Sequence, residues 1–251
     1  MKGMNNIAVV LASVGLLAST SAQATLFDRG SGLIYDDVLK ITWLKDANYA
    51  KSSGYDADGR MDWAAANTWA AGLIYHDSVR KVDLTGWRLP QTLPVNGVAY
   101  FDPYYGHGGE SDVGYNVSAI GSAYPGSTGS ELAYMFYINL GNQAQYTPAG
   151  HFTGCSPNCL VNLGPFSNLQ SYQYWSATEY TGSFYAGDRA WFVDMQNGEQ
   201  AAYVKNWDNY AWAVRDGDVA AGVPEPMSLA LLGMGLASLA LVRRHRGFAA
   251  S

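Results

Sequence analysis

The two ends of this chain carry long apolar runs, and these confine folding to what lies between them. At the front, Lys2 precedes Ile7 to Leu17, and Ala22-Gln23-Ala24 follows. A positive residue, a short apolar core and a small-x-small ending form the pattern that signal peptidase cleaves. The run falls short of the roughly 20 apolar residues of a stable membrane span. Residues 1–24 are therefore expected to be a signal peptide, with the mature chain starting at Thr25. At the back, Val223-Pro224-Glu225-Pro226 leads into apolar Met227 to Val242 and then Arg243-Arg244-His245-Arg246. The prolines stop any helix arriving from upstream, and the arginines belong on the cytoplasmic side of a membrane. Residues 219–251 thus read as a tail whose apolar segment, 227–242, would hold the precursor in the inner membrane. Residues 25–218 are left as one globular domain.

Within that domain charge excludes one class of partner. Setting aside Lys2, Arg243, Arg244, Arg246 and Glu225 leaves 11 of the 15 basic and 20 of the 21 acidic residues, a balance of −9. Such a surface repels phosphate backbones, so no nucleic-acid partner is expected. Cys155 and Cys159 flank Ser156-Pro157-Asn158. In an exported chain a local disulfide is the expected state; a zinc site would need two further ligands, and only His151 is near. Aromatic residues make up 14% of the chain, with 18 Tyr and 8 Trp. That usage suits strand-rich extracellular domains and sugar-binding surfaces, although most of the tryptophans are expected in the core.

Local patterns give the elements. Leu33 to Leu44 reads as two strands turning at Asp36-Asp37. Asp62 is placed to cap a helix from Trp63 to about Ala71, with Trp63, Ala66, Ala70 and Leu73 on one stripe. Gly86-Trp87-Arg88-Leu89-Pro90 is a turn into extended chain, because a residue before proline avoids the helical region. Residues 94–129, rich in Gly, Tyr, Ser and Pro, read as a long loop insertion. Thr128-Gly129-Ser130-Glu131 fits a capping box with Thr128 at the cap and Glu131 reaching back, ahead of a helix with Leu132, Met135, Phe136 and Leu140 on its apolar face. The remainder reads as strands: Tyr174 to Tyr180, Ala190 to Gln196, a return from Gln200 to Lys205 across the hairpin dipeptide Asn197-Gly198, and Tyr210 to Arg215.

Two resemblances follow from these residues. The tail, with Pro224, Glu225 and Pro226, its apolar segment and Arg243 and Arg244, closely resembles the PEP-CTERM sorting signal. That resemblance implies processing by a membrane exosortase, transient membrane anchoring, and delivery to the cell surface or outside. The order of Ile41-Thr42-Trp43, the helix at Trp63, Gly86-Trp87-Arg88-Leu89-Pro90, Glu131-Leu132, Tyr174-Trp175-Ser176-Ala177-Thr178 and Ala211-Trp212-Ala213-Val214-Arg215 resembles the DUF1566 (Lcl C-terminal) family over most of Leu33 to Asp216. It implies an α+β domain similar to the C-type-lectin and formylglycine-generating-enzyme fold group, with two helices flanking a central antiparallel sheet and its first and last strands close together. Enzyme activity does not carry over. Cys155 and Cys159 are too close together and too early in the chain to stand for that enzyme's cysteine pair, and fold alone assigns no function.

No phosphate loop, His-Glu-x-x-His or Gly-x-Ser-x-Gly occurs, and no catalytic residue is expected. Paired carboxylates such as Asp56 with Asp58 or Glu110 with Asp112 are common in loops, so a glycosidase is the lesser reading. Asp56, Asp58 and Asp62 around Gly59 resemble the oxygen-rich start of a calcium loop; a plain turn and cap explain the same residues. Calcium is thus the one cofactor to consider. Trp87, Arg88 and Pro90 read as a structural motif. Tyr100, Tyr104, Tyr105 and Tyr115, in the insertion, are the candidate stacking residues for a sugar. The expectation is a non-enzymatic binding or adhesion module with an extracellular polysaccharide as partner; a purely structural matrix protein, or less so a polysaccharide hydrolase, is the alternative.

Overall fold

In a computed structural model, residues 25–182 and 187–222 of the chain are described. The expected signal peptide and the tail from residue 223 onward lie outside the described residues. Among the described residues no helix is long and apolar enough to cross a membrane.

In chain order the elements are β1 (Leu26–Gly30), β2 (Leu33–Asp36), β3 (Ile41–Leu44), α1 (Tyr49–Ser52), β4 (Arg60–Met61), α2 (Trp63–Gly72), β5 (Tyr75–Asp77), β6 (Val82–Leu84), β7 (Trp87–Arg88) and α3 (Glu131–Tyr134), which widens into a π turn over Met135–Asn139. Then come β8 (Gln173–Glu179), β9 (Arg189–Asp194), β10 (Glu199–Val204), β11 (Asn209–Tyr210) and β12 (Val214–Asp216), ending in a 3₁₀ turn at Val219–Gly222. The class is α+β with strands dominant. Instead of one central sheet, the described residues form two of five strands, ordered β1-β2-β3-β12-β7 and β10-β9-β8-β11-β4, plus the β5-β6 hairpin. Among the described strands the pairings are antiparallel except β8 with β11.

The β2–β3 hairpin pairs Ile34 with Trp43. Its turn is closed by Asp36, whose Oδ1 accepts from the Val38 and Leu39 amides at 2.9 Å each. Asp62 caps α2 by accepting from the Ala65 amide at 2.7 Å. The second helix is capped differently from the expected box. Ser130, not Thr128, accepts from Ala133 N. Glu131 is drawn away from its own helix end because Arg88 holds it, with Nη1 and Nη2 each 2.8 Å from a carboxylate oxygen. The hairpin at Asn197-Gly198 is also wider than a two-residue turn. β9 stops at Asp194, whose carbonyl accepts from Gly198 N at 2.8 Å, leaving Met195 to Gly198 as a four-residue loop.

The expected last strand is two. Ala211-Trp212-Ala213 crosses between the sheets, so β11 joins one and β12 the other. The crossing is fully buried. The Trp212 ring lies 4.6 Å from Trp43 and 4.7 Å from Phe166, and its Nε1 donates to Leu44 O at 2.7 Å. The core spans both sheets and takes in Trp87, Leu132, Phe136, Trp175 and Val219. Val219, at the start of the expected tail, therefore belongs physically to the globular part.

The insertion is ordered by polar ties in place of strands. The buried Asp112 carboxylate accepts from Val95 N at 2.7 Å and Phe101 N at 2.6 Å. Gly114 exchanges both backbone bonds with Gln200 at 2.8 Å, which fastens the insertion to the edge of β10. Only glycine fits there: φ is +132° and a Cβ would lie 1.9 Å from Gly106 O.

Candidate functional site

Fastening the insertion to β10 creates an open cleft of about 460 Å³. One wall is the outward face of β10, where alternation places Glu199, Ala201 and Tyr203 on the same side. The insertion supplies Asp102, Tyr104 and Tyr105; Gln173 on β8, Tyr180 just beyond it, and Arg189 on β9 complete the lining. Tyr104 is 52% exposed and Tyr203 41%, so both present ring surface to solvent. Tyr104 meets Phe101 edge-on at 6.2 Å, and Tyr203 meets Trp207 edge-on at 5.5 Å, which steadies each ring from behind.

The polar groups are held among the rings. The Tyr180 hydroxyl donates to Asp102 Oδ2. The Tyr105 hydroxyl interacts with Tyr115 and Glu199. Burial pushes the Glu199 carboxyl above the usual carboxylate range, an effect the Tyr105 hydroxyl partly offsets. Burial, and then the same two neighbours, push the Tyr105 hydroxyl upward too. Arg189 Nη1 reaches the Ala202 carbonyl at 3.5 Å. The cleft thus offers flat apolar faces beside fixed acceptors and donors, an arrangement suited to a small polyhydroxylated ligand.

The structure divides the candidate tyrosines. Tyr104 and Tyr105 line the cleft, whereas Tyr100 and Tyr115 do not. Tyr100 lies stacked on Trp191 at 5.4 Å with its hydroxyl on Thr92 O. Tyr115 is 6% exposed and packs among Tyr105, His107 and Tyr146. The insertion's polar ties fold it back onto the domain and give those rings neighbours.

The three candidate calcium ligands do other work. Asp56 Oδ1 accepts from Asp58 N and Gly59 N, Asp58 pairs with Arg60 at 2.8 Å, and Asp62 caps α2. Among the described residues no group of three or more His, Cys, Asp or Glu is placed to hold a metal ion. Asp112 holds backbone in the insertion and does not face a cleft with Glu110. Cys155 and Cys159 are joined as a disulfide with Cα atoms 4.9 Å apart. His76 pairs with Asp83 on the β5–β6 hairpin, and His151 sits in an exposed turn. Trp87 is 2% exposed, with Nε1 on Leu84 O. Leu89 and Pro90 are buried beside it, and Arg88 also reaches Asp216 at 2.7 Å.

Comparison of the chain with protein-family models, with curated proteins and with solved structures finds no match. The site therefore rests on its own geometry. Glu199, Tyr203, Asp102, Tyr180, Gln173 and Arg189 are its additions to the sequence reading. Two of them had a signal: period-two alternation along 199–204 puts Glu199 and Tyr203 on one face.

Proposed function

We propose that this chain is an exported, exosortase-sorted surface or extracellular-matrix protein whose globular domain binds a glycan in the Tyr104–Tyr203 cleft without turning it over. The observation that carries the reading is the pairing of two exposed, braced tyrosine rings with Glu199, Asp102, Gln173 and Arg189 in one open cleft. Sugar rings present an apolar face for stacking and a rim of hydroxyls for hydrogen bonds, and the cleft offers both complements. Export rests on residues 1–24 and on the Pro224-Glu225-Pro226 tail. A DUF1566-like, C-type-lectin-like domain is proposed alongside. Its supports are the β2–β3 hairpin, Trp87-Arg88 at a sheet edge, and the pairing of β3 with β12, which sets early and late strands side by side.

Glycan-array binding by the full chain, with and without calcium, tests the function. Tyr104→Ala and Tyr203→Ala should each abolish binding with little change in melting temperature, because both rings are largely outside the core. Tyr105→Ala is the poorer choice, since its contacts with Tyr115, His107 and Glu199 make it partly structural. Absence of any saturable glycan would leave the structural-matrix reading in its place. Release of reducing ends from a polysaccharide would make Asp102 and Glu199 hydrolytic carboxylates and refute the non-enzymatic reading.

A further inference from the structure

A second cavity, of about 300 Å³, opens beside the π turn, and a line of aromatic rings joins it to the cleft. Tyr105, in the cleft, meets His107 at 6.2 Å, and His107 meets Tyr146 at 4.8 Å. Tyr146 lines the second cavity and continues to Phe152, 57% exposed, at 6.0 Å. Tyr105 and Phe152 are exposed, and His107 and Tyr146 are half-buried, so none of the four residues is fully buried.

The spacing of this line is fixed by one side chain. Asn116 Nδ2 donates to His107 O at 2.7 Å and to Tyr146 O at 2.8 Å, while its own amide donates to the Tyr137 hydroxyl. Asn116 adopts φ +61° to do so, a left-handed conformation that asparagine tolerates better than most residues. The cavity that results has no acidic or basic side chain in its lining. Its accessible groups are the exposed Gln143 and Ile120, the latter 85% exposed, together with half-buried Tyr146 and Thr147.

Resting on the glycan-binding reading above, we infer that the second cavity is a further subsite of the same binding face, and that the ligand is an internal stretch of a polysaccharide lying along the Tyr105–His107–Tyr146 line. A pocket for one terminal sugar would need neither the ring line nor the second cavity. The uncharged lining assigns neutral units to the second subsite, whereas the cleft carries the carboxylates. Binding energy then accumulates with chain length until both sites are filled.

Isothermal titration of the full chain with cello- and chito-oligosaccharides, from disaccharide to octasaccharide, tests this. Affinity in the series that binds should rise on the order of tenfold or more with length, each tenfold being one further modest contact. The Ile120→Ala/Gln143→Ala double variant changes two exposed side chains and should keep its melting temperature. It should lose most of the length-dependent gain while keeping wild-type affinity for the disaccharide. Tyr104→Ala should weaken every length. Affinity independent of length, or a length gain untouched by the double variant, overturns the second subsite and leaves the cleft reading standing. No binding of either series by the wild type overturns both.

Discussion

Replacing Arg88 by methionine should destabilise the domain more than replacing Arg88 and Glu131 together. The Arg88 side chain is only 22% exposed and Glu131 only 11%, and they meet through two bonds of 2.8 Å. Removing the arginine strands a nearly buried carboxylate whose remaining bond is from Gln91 N at 2.7 Å. Breaking a buried pair from one side costs about 3 kcal/mol, at the low end of the usual range because Arg88 retains some access to water. The Asp216 contact contributes well under about 1 kcal/mol, because that side chain is 78% exposed. In Arg88→Met/Glu131→Met no charge is left buried, and Gln91 lies at the surface where water can reach its amide. The double variant should therefore cost about 1 kcal/mol, about 2 kcal/mol less than the arginine variant alone. Urea unfolding followed by tryptophan fluorescence reads this out. With a slope of about 2 kcal/mol/M, the single variant's midpoint should fall by roughly 1.5 M and the double's by about 0.5 M. A double variant as unstable as the single, or a single variant within about 0.5 kcal/mol of wild type, would refute the assignment of this pair as a desolvated tie between β7 and α3.

Stability should rise as pH falls from neutral toward the ordinary carboxylate range. Burial raises the folded-state pKa values of Asp36, Asp112, Asp194 and Glu199, so their contribution is fully present below the unfolded carboxylate range and is lost as pH climbs through the folded values. Asp28, held low by the Gly30 amide and Lys45, and Asp58, held low by Arg60, act oppositely and lose their contribution only at more acid pH; a melting temperature that falls steadily from neutral pH downward would contradict this balance. Thiol labelling of the denatured, unreduced protein should find neither Cys155 nor Cys159 free, and replacing both should cost roughly 2 kcal/mol or less because the closed loop is so short; quantitative labelling of both rejects the bridge. Intact-mass analysis of protein secreted from a host with an exosortase should show both ends removed, whereas a product retaining Arg243 to Arg246 would leave an ordinary membrane anchor.

What was legible in the sequence was what depends on near neighbours. Asp62 caps its helix through the backbone three residues on, and the β2–β3 hairpin is set by Asp36 closing its own turn. Signals failed where a distant residue competed for the same group. Glu131 fits a capping box locally, but Arg88, 43 positions away, takes its carboxylate, and Ser130 becomes the cap. Tyr210 to Arg215 alternates like one strand, yet pairing partners in two different sheets divide it. The insertion shows no periodicity because its order comes from Asp112, Asn116 and Gly114 bonding to backbone elsewhere. For that reason Tyr115 and Tyr100 were expected at the surface and are found packed. The cleft was half legible, with Tyr104 and Tyr105 named from composition and Glu199 and Tyr203 recoverable from alternation. Asp102 and Tyr180, 78 positions apart and joined only by the fold, carried no local signal.

The place of β12 has a consequence for how the chain acquires its structure. It fills the gap between β3 and β7, pairing Arg215 with Thr42 on one side and Trp87 on the other. Until those late residues arrive, β3 and β7 both present unpaired edges, and the Trp43 ring lacks the Trp212 face that covers it. Contacts spanning most of the domain's length close slowly, since the loop entropy is spent before they form. A chain that emerges from its N-terminus onward must therefore carry two open edges through nearly all of its synthesis, and those edges can pair with other chains. Closure comes only with Val214 to Asp216, close to the end of the described residues.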